Sequence, residues 1–263
     1  MTRDELILLG DLNYIEALRE QTRACRGTII EEEGIVLMKG PGSHPIMNYA
    51  VRLDSSIEPR EAIELMGDFF GSLRHGFTLV LRNAEDESAL GDLAKREGLV
   101  DLLSPPEMIV EKPLPDVDAP LGTELRKVED ADGLAAFREV AAEAWMTYGI
   151  PSPVTARIFA RKDFVIGPHI EAVVCYERDR PVSAALLLLS HGIGGIYWVS
   201  TVSTARGKGF AEACTRWVTN RGFETGARVI SLQASPMGHP IYRRMGFADI
   251  ATYRLLAALP AET

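Results

Sequence analysis

Cysteine is scarce in this chain. Three stand far apart in 263 residues, at Cys25, Cys175 and Cys214, with no spacing that suits a metal. An odd, sparse set gives no disulfide framework and points to a reducing compartment. Positive charge is also short: 28 Lys and Arg against 37 Asp and Glu leave a net charge of −9. General nucleic-acid binding needs a positive field, so that class is set aside. The nucleophile motifs of covalent hydrolases are missing too. There is no G-x-S-x-G, and no cysteine has a histidine near it in sequence. The first residues, MTRDELILLGDLNY, set acids around a very short apolar run. They form neither a signal peptide nor a membrane span, so a cytoplasmic protein is expected.

What is present reads as globular. With 46% hydrophobic and 25% charged residues, a packed core is expected and disorder is not. The length suits one large domain or two ordinary ones. Residues 112–122, KPLPDVDAPLG, carry three prolines and end in a glycine, the strongest linker in the chain. The expected division is 1–112, a linker over 113–122, and 123–263.

Residues 11–23 read as a helix and 27–38 as a hairpin turning at Glu33-Gly34. A strand over 48–53 leads to a helix begun by Pro59, with Ile63, Met66, Phe69, Phe70 and Leu73 as its apolar stripe. A strand at 77–81, a helix at 88–97 stopped by Gly98 and a strand at 108–112 complete the first half. The second half restarts with a strand at 123–128. Asp130 or Asp132 then caps a helix whose face is Leu134, Phe137, Ala141, Ala144 and Trp145. Residues 148–153 form a loop and 157–162 part of a further helix. Strands follow at 170–176 and 182–189, the second apolar enough to be central, joined by a turn at 179–181.

The rest of the chain is organised around residues 196–242. A β-branched, aromatic strand over 196–204 runs into Ala205-Arg206-Gly207-Lys208-Gly209-Phe210-Ala211. An amphipathic helix follows, with Phe210, Ala213, Cys214, Trp217 and Val218 at helical spacing. Glycines let the backbone approach a ligand closely. The helix behind them offers unpaired N–H groups and a positive dipole end, which suits a phosphate. An ordinary strand–helix turn with two glycines and two cations is the plainer alternative. Downstream come a strand with LQAS and then a short helix, PIYRRMGF, carrying Tyr242.

This order of motifs resembles the GNAT superfamily of acyl-coenzyme-A-dependent N-acyltransferases. Arg206, Gly209 and Ala211 fill the fixed places of its R/Q-x-x-G-x-G/A loop, and Tyr242, Gly246 and Phe247 match its later helix. The motif-bearing part covers about the last quarter of the chain, and the strand pattern reaches back to Thr123. The resemblance implies an α/β (α+β) fold: a mixed, splayed sheet flanked by helices, probed by the coenzyme's pantetheine at its split. It implies an N-acetyltransferase with acetyl-CoA as acyl-donor substrate, an amine acceptor and no metal. The negative net charge suits a cationic or neutral amine better than an anionic acceptor. Thr201, Val202 and Ser203 would lie along the pantetheine, with Val202 the foremost candidate for an amide donor to the thioester carbonyl. Arg206, Gly207, Lys208, Gly209, Phe210 and Ala211 would hold the pyrophosphate.

Tyr242 would donate to the departing sulfur, since a phenol of pKa near ~10 is neutral at pH 7. The family often has a glutamate on the strand before the loop, but residues 193–204 hold no carboxylate. Glu171, Glu143, Asp163 and His191 are candidate bases by type, each better suited to a structural role, and a water chain could serve instead. His239 could contact substrate or the adenine end, or simply sit on the surface. Trp145, Met146 and Tyr148 end the helix that borders the acceptor in the family, and could equally just end a core helix. A non-catalytic acyl-CoA sensor, or an enzyme using a longer acyl-CoA, are the competing readings.

The two halves also look like tandem GNAT-like domains. Residues 93–101, LAKREGLVD, align with 241–249, IYRRMGFAD, and the preceding strands and helices correspond. The first half has Asp54-Ser55-Ser56-Ile57-Glu58-Pro59 where the loop should be and Ala94 in place of the tyrosine. It therefore reads as a degenerate domain without coenzyme. It could shape the acceptor site, mediate a homodimer or brace the second half. No nucleic acid or membrane is expected as partner.

Overall fold

The computed structural model describes all residues except Glu33, 72–74, 83–86, Asp118 and 261–263. Leu73 of the expected stripe and Glu33 of the expected turn lie outside the described residues. In chain order the elements are α1 (Arg3–Ala24), β1 (Thr28–Glu32), β2 (Ile35–Lys39), β3 (Asn48–Arg52), α2 (Pro59–Gly71), β4 (Phe77–Leu81), α3 (Ser88–Arg96) and β5 (Val100–Leu103). Then come β6 (Pro106–Val110), β7 (Thr123–Lys127), α4 (Ala131–Ala144), α5 (Ser152–Ile158), β8 (Ile170–Glu177), β9 (Arg180–Ser190) and β10 (Ile193–Thr201). The chain closes with α6 (Phe210–Glu224), β11 (Ile230–Gln233), α7 (His239–Met245), β12 (Ala248–Thr252) and β13 (Arg254–Ala258).

The elements form two mixed sheets and two compact units that interleave along the chain. One unit is Met1–Ala17 with Glu107–Ile250; the other is Leu18–Pro106 with Ala251–Thr263. A division at 113–122 therefore differs from the division by contacts. β6 precedes the linker yet pairs with β11, and β13 ends the chain yet pairs with β4 and β5. Short apolar strands carry no local mark of their partner, so the proline-rich stretch was the stronger sequence signal. That stretch is itself held: Asn220 accepts from the Leu114 amide and donates to its carbonyl at 2.8 and 3.0 Å.

The larger unit has the strand order β7-β8-β9-β10-β11-β6-β12. β9 is central, and its run from Val182 to Leu188 is buried throughout, as a strand covered on both faces must be. β8 and β9 form a hairpin turned by Arg178 and Asp179, both at positive φ (51° and 63°), one register earlier than the expected 179–181 turn. Asp130 caps α4 by accepting from the Gly133 amide at 2.8 Å. α5 spans Ser152–Ile158, earlier than the helix expected over 157–162. α1 begins at Arg3, eight residues before the expectation, because Thr2 and Glu5 cap its first turn reciprocally at 3.2 and 2.7 Å. The T-x-x-E pattern was there to be read.

The smaller unit has the order β1-β2-β3-β4-β13-β5. β3 and β4 pair in parallel, and the other pairs are antiparallel. Its core sets Ile35, Leu37, Leu79, Leu81 and Leu256 of the sheet against Met66 and Phe70 of α2. Phe70 stacks on Phe77 at 4.4 Å. Each such buried side chain contributes about 1.5–3 kcal/mol by leaving water.

Candidate active site

The larger sheet opens between two parallel strands. β10 and β11 pair from Gly194↔Ile230 to Ile196↔Leu232 and then part. Tyr197 and Gln233 are the next residues on either side. Just beyond, β10 bulges against β9: Tyr197 faces Leu186 and Ser200 faces Ala184, so Trp198 and Val199 stand opposite the single Ala185. Trp198 has φ 54°, uncommon for a bulky residue, and is held there by rings. Trp145 lies 4.4 Å and Phe159 4.8 Å from it, and the Trp145 indole donates to Ser200 Oγ at 2.9 Å.

The strand then ends at Thr201, and a short 3-10 turn over Ser203–Ala205 delivers the chain to α6. Gly207 and Gly209 have φ 75° and 87°, values that other residues adopt only under strain. Gly209 directly precedes α6, and its carbonyl accepts the first helical bond, from Ala213 at 3.0 Å. The amides of the next residues, Phe210 and Ala211 included, have no partner within the helix and point along its positive end. A Cβ on Gly207 would meet nothing within 4 Å, and one on Gly209 only Pro120 at 3.4 Å. The turn is exposed, with two left-handed glycines ahead of the first amides of α6.

Other expected coenzyme contacts are already engaged. The Val202 amide donates to the Val182 carbonyl at 3.0 Å, so it is not free for a thioester carbonyl. Thr201 faces Ser183 in the ladder, and the Ser203 amide donates to Glu143 at 3.1 Å. The bulge displaces the unpaired backbone upstream, to Trp198 and Val199. The Arg206 guanidinium reaches Thr147 Oγ1 at 2.7 Å, bracing the turn against the end of α4, and Lys208 lies 3.3 Å from Glu177.

Tyr242 lies in the first turns of α7 and is 7% exposed. Burial pushes its hydroxyl well above the ordinary phenol range. Nearby Tyr148 adds to the shift, and the Thr215 hydroxyl beside it works the other way. A phenol so placed stays protonated near neutrality and has a proton to donate. Trp145 and Tyr148 stand 5.4 Å apart, and Met146, Tyr148 and Met237 are exposed apolar groups of the same unit.

The carboxylates singled out by type hold structure. Glu171 is bound by Arg221 at 2.9 and 3.0 Å and by Lys127 at 3.1 Å, which lowers its pKa. Glu143 carries Ser203, and Asp163 pairs with Arg161 at 2.9 Å. His191 turns β9 into β10 with φ 54°, and His239 pairs with Asp249 at 2.8 Å. A groove of about 580 Å³ runs along the outside of α6 from Gly209, lined by Leu125, Lys127, Arg216 and Asn220 among others. It adjoins the turn but not the split.

Sequence reasoning missed a second polar group on the sheet face covered by α1. Glu107 faces Gln233 across the β6–β11 ladder, and Asn13 and Asp11 approach from α1. The one available signal was a lone acid in the apolar run PPEMIV. The strand was expected to start two residues later, at Met108.

No protein-family model matches the sequence, and no curated protein matches it. Solved structures do. A GCN5-related N-acetyltransferase from Kribbella flavida aligns with TM-score 0.68 and 22% identity over 94% of this chain and 95% of its own. One from Sphaerobacter thermophilus aligns with TM-score 0.61 and 19% identity over 86% and 80%. A GCN5-related N-acetyltransferase-like protein from Streptococcus suis aligns with TM-score 0.57 and 14% identity over 92% and 98%. These are likenesses of fold, and they extend over both units.

Proposed function

We propose that this chain, whose fold is that of the GNAT proteins, transfers an acetyl group from acetyl-CoA to a primary amine of a small molecule or protein. The observation that carries the reading is the junction of three features within one unit. A parallel strand pair splits after Ile196 and Leu232, a two-glycine turn opens onto the amides of α6, and a buried phenol stands on the helix after the partner strand. Acyl transfer to an amine needs those parts: a cradle for the diphosphate, a slot for the thioester arm, and a donor to the leaving sulfur.

In this reading the pyrophosphate takes the amides from Gly207 to Ala211. The pantetheine lies along β10, through Thr201, Val202 and Ser203, and the thioester carbonyl meets the backbone of the bulge at Trp198 or Val199. The amine attacks the carbonyl directly, and Tyr242 gives its proton to sulfur as the C–S bond breaks. The aromatic group of Trp145, Tyr148 and Trp198 borders the acceptor. The smaller unit is a degenerate GNAT-like domain that binds no coenzyme. The protein works in the cytoplasm without a metal.

The test is mass spectrometry of coenzyme retained through purification, followed by free-thiol release from acetyl-CoA over a panel of amines. Acceptor-dependent thiol release with an acetylated product is the expected result. Coenzyme binding without release for any amine would overturn the enzymatic reading.

A further inference from the structure

Glu107 is a residue with an unusual situation. It is 0% exposed, and neither carboxyl oxygen has a hydrogen-bond partner among the described residues. Two neighbours on β11 share the defect: Nε2 of Gln233 and Oγ of Ser231 are buried without partners. Ser231 and Gln233 lie on one face by the two-residue repeat of a strand, and Glu107 faces Gln233 directly in the ladder. Four orphaned polar atoms on one sheet face are costly, and native proteins keep such a group where it has work to do. The place matters as well. Gln233 and Tyr197 are the residues at which β10 and β11 part, so Glu107 stands one strand from the mouth of the split.

We infer that Glu107 is the group that takes the proton the acceptor amine must lose, directly or across one water at the mouth between Tyr197 and Gln233. The inference rests on the acetyl-transfer reading and adds the base that the strand before the turn does not supply. Its substrate class is a primary amine arriving as the ammonium ion.

The surroundings suit the task. Above the carboxyl lies the backbone of α1, and a Cβ on Gly10 would sit 1.7 Å from Oε1, so only glycine permits the approach. The other titratable groups around the site are Asp11 and Tyr14 from α1 and Tyr197 from β10. Asp11 is itself 7% exposed. Burial first, and the charge of Asp11 second, push the Glu107 carboxyl up to about 9. Tyr14 is pushed up to about 12 by burial, and Tyr197 is raised the same way, so neither competes as a base near neutrality. The Tyr197 hydroxyl donates to Asn13 Oδ1 at 2.7 Å, and Asn13 in turn donates to Ser190 Oγ at 2.9 Å. An ordinary glutamate near ~4.3 would accept a proton from an alkylammonium only far uphill; one near the ammonium's own value exchanges it almost freely.

The step balances as follows. Glu107, protonated at rest, releases its proton to solvent as the ammonium and acetyl-CoA bind, and the ammonium then gives one proton to the carboxylate so formed. The freed lone pair forms the C–N bond to the acetyl carbon, and the C–S pair leaves on sulfur, which takes the Tyr242 proton. The new amide nitrogen sheds its extra proton back to Tyr242, and Glu107 is left protonated, as it began.

The experiment uses the full chain, acetyl-CoA, and benzylamine as the probe acceptor. Glu107→Gln should lower kcat on the order of a hundredfold at pH 7.5 with the KM for acetyl-CoA unchanged. Asp11→Asn should move the midpoint of the kcat–pH profile to lower pH, a response that mere packing would not give. Infrared difference spectra of wild type against Glu107→Gln should show a protonated-carboxyl band in the free protein that vanishes when benzylamine and CoA are added together. Wild-type kcat and pH profile in Glu107→Gln would overturn the inference and leave the transfer reading intact. Should Glu107→Gln fail to fold, the pH response of Asp11→Asn decides; should wild type fail to turn over benzylamine, the protonated-carboxyl band decides, read as the difference between the free protein and its complex with benzylamine and CoA. A band that persists in the ternary complex overturns the proposal. Absence of transfer to every amine, with coenzyme bound, would overturn both.

Discussion

Two turns occupy matching positions in the two sheets. Each follows a strand that pairs in parallel with the next, β3 with β4 and β10 with β11, and each leads into a helix. After β10, Gly207 and Gly209 take left-handed conformations and leave the first amides of α6 open. After β3, residues 53–58 hold no glycine, and Asp54 supplies its own anion. Its Oδ1 accepts from the Ser56 amide at 2.8 Å and from the Ser56 hydroxyl, and these bonds, side chain first, lower its pKa. One turn presents donors to an outside anion, while the other has closed on a carboxylate of its own. In the proposed reading, two glycines and one aspartate separate a binding loop from a structural one, each placed before the N-terminus of a helix.

The comparison breaks most sharply at Gly209. Gly209→Glu puts a carboxylate into the open turn, much as Asp54 stands in the closed one. Losing two charge-assisted bonds of about 2 kcal/mol each should weaken acetyl-CoA binding about a thousandfold by calorimetry. Gly209→Ala is the control for backbone strain, about 1–2 kcal/mol, without the charge. Binding by a folded Gly209→Glu protein at wild-type affinity would remove the turn from the account.

The second difference between the units is Tyr242 against Ala94. Tyr242→Phe keeps the ring in its buried place and removes the hydroxyl proposed to protonate sulfur. A loss on the order of a hundredfold in kcat is expected, with coenzyme affinity unchanged. Equal kcat for both proteins from about pH 6 to about pH 10 would sink the assignment, since general acid catalysis cannot be silent over such a span.

The third contrast lies in stability. Glu107 has a folded pKa of about 9 against an ordinary 4.5, so the native state holds a proton that the unfolded chain releases. Its contribution is fully present below about pH 4.5 and is lost as pH rises toward 9, at about 1.36 kcal/mol per pH unit at most. Glu107→Gln should flatten that slope and raise the urea midpoint by a few kcal/mol equivalent near pH 8, while costing turnover. An unchanged stability–pH curve would show that the carboxyl titrates normally.

The smallest effect is expected at Lys208, exposed and 3.3 Å from Glu177. Lys208→Ala should weaken binding less than about fivefold in dilute buffer, and the difference should fade in high salt. A larger, salt-independent loss would mean that the side chain, and not the backbone, holds the phosphates.

What was legible in the sequence follows from how local each feature is. The strand–turn–helix around Gly209 lies in consecutive residues, so pattern alone gives its form, and Tyr242 follows from its spacing to Gly246 and Phe247. The apolar run from Val182 to Leu188 marks a central strand in the same way. β6 and β13 are different. Each pairs with strands more than a hundred residues away, and five mostly apolar residues do not say with which. Glu107 was hidden for the same reason: its environment is assembled from α1, β10 and β11, and none of these is near it in sequence. The amide of Val202 is engaged by the Val182 carbonyl, and the irregularity of β10 lies upstream between Tyr197 and Ser200, a bulge that left no mark in the sequence.

The central claim is that one turn of the two binds the coenzyme. Isothermal titration of the full chain with acetyl-CoA tests it most directly, run beside Gly209→Glu and Asp54→Ala. The account predicts one site per chain, abolished by Gly209→Glu and untouched by Asp54→Ala. Two sites per chain, or a single site lost with Asp54→Ala and kept in a folded Gly209→Glu protein, would contradict it.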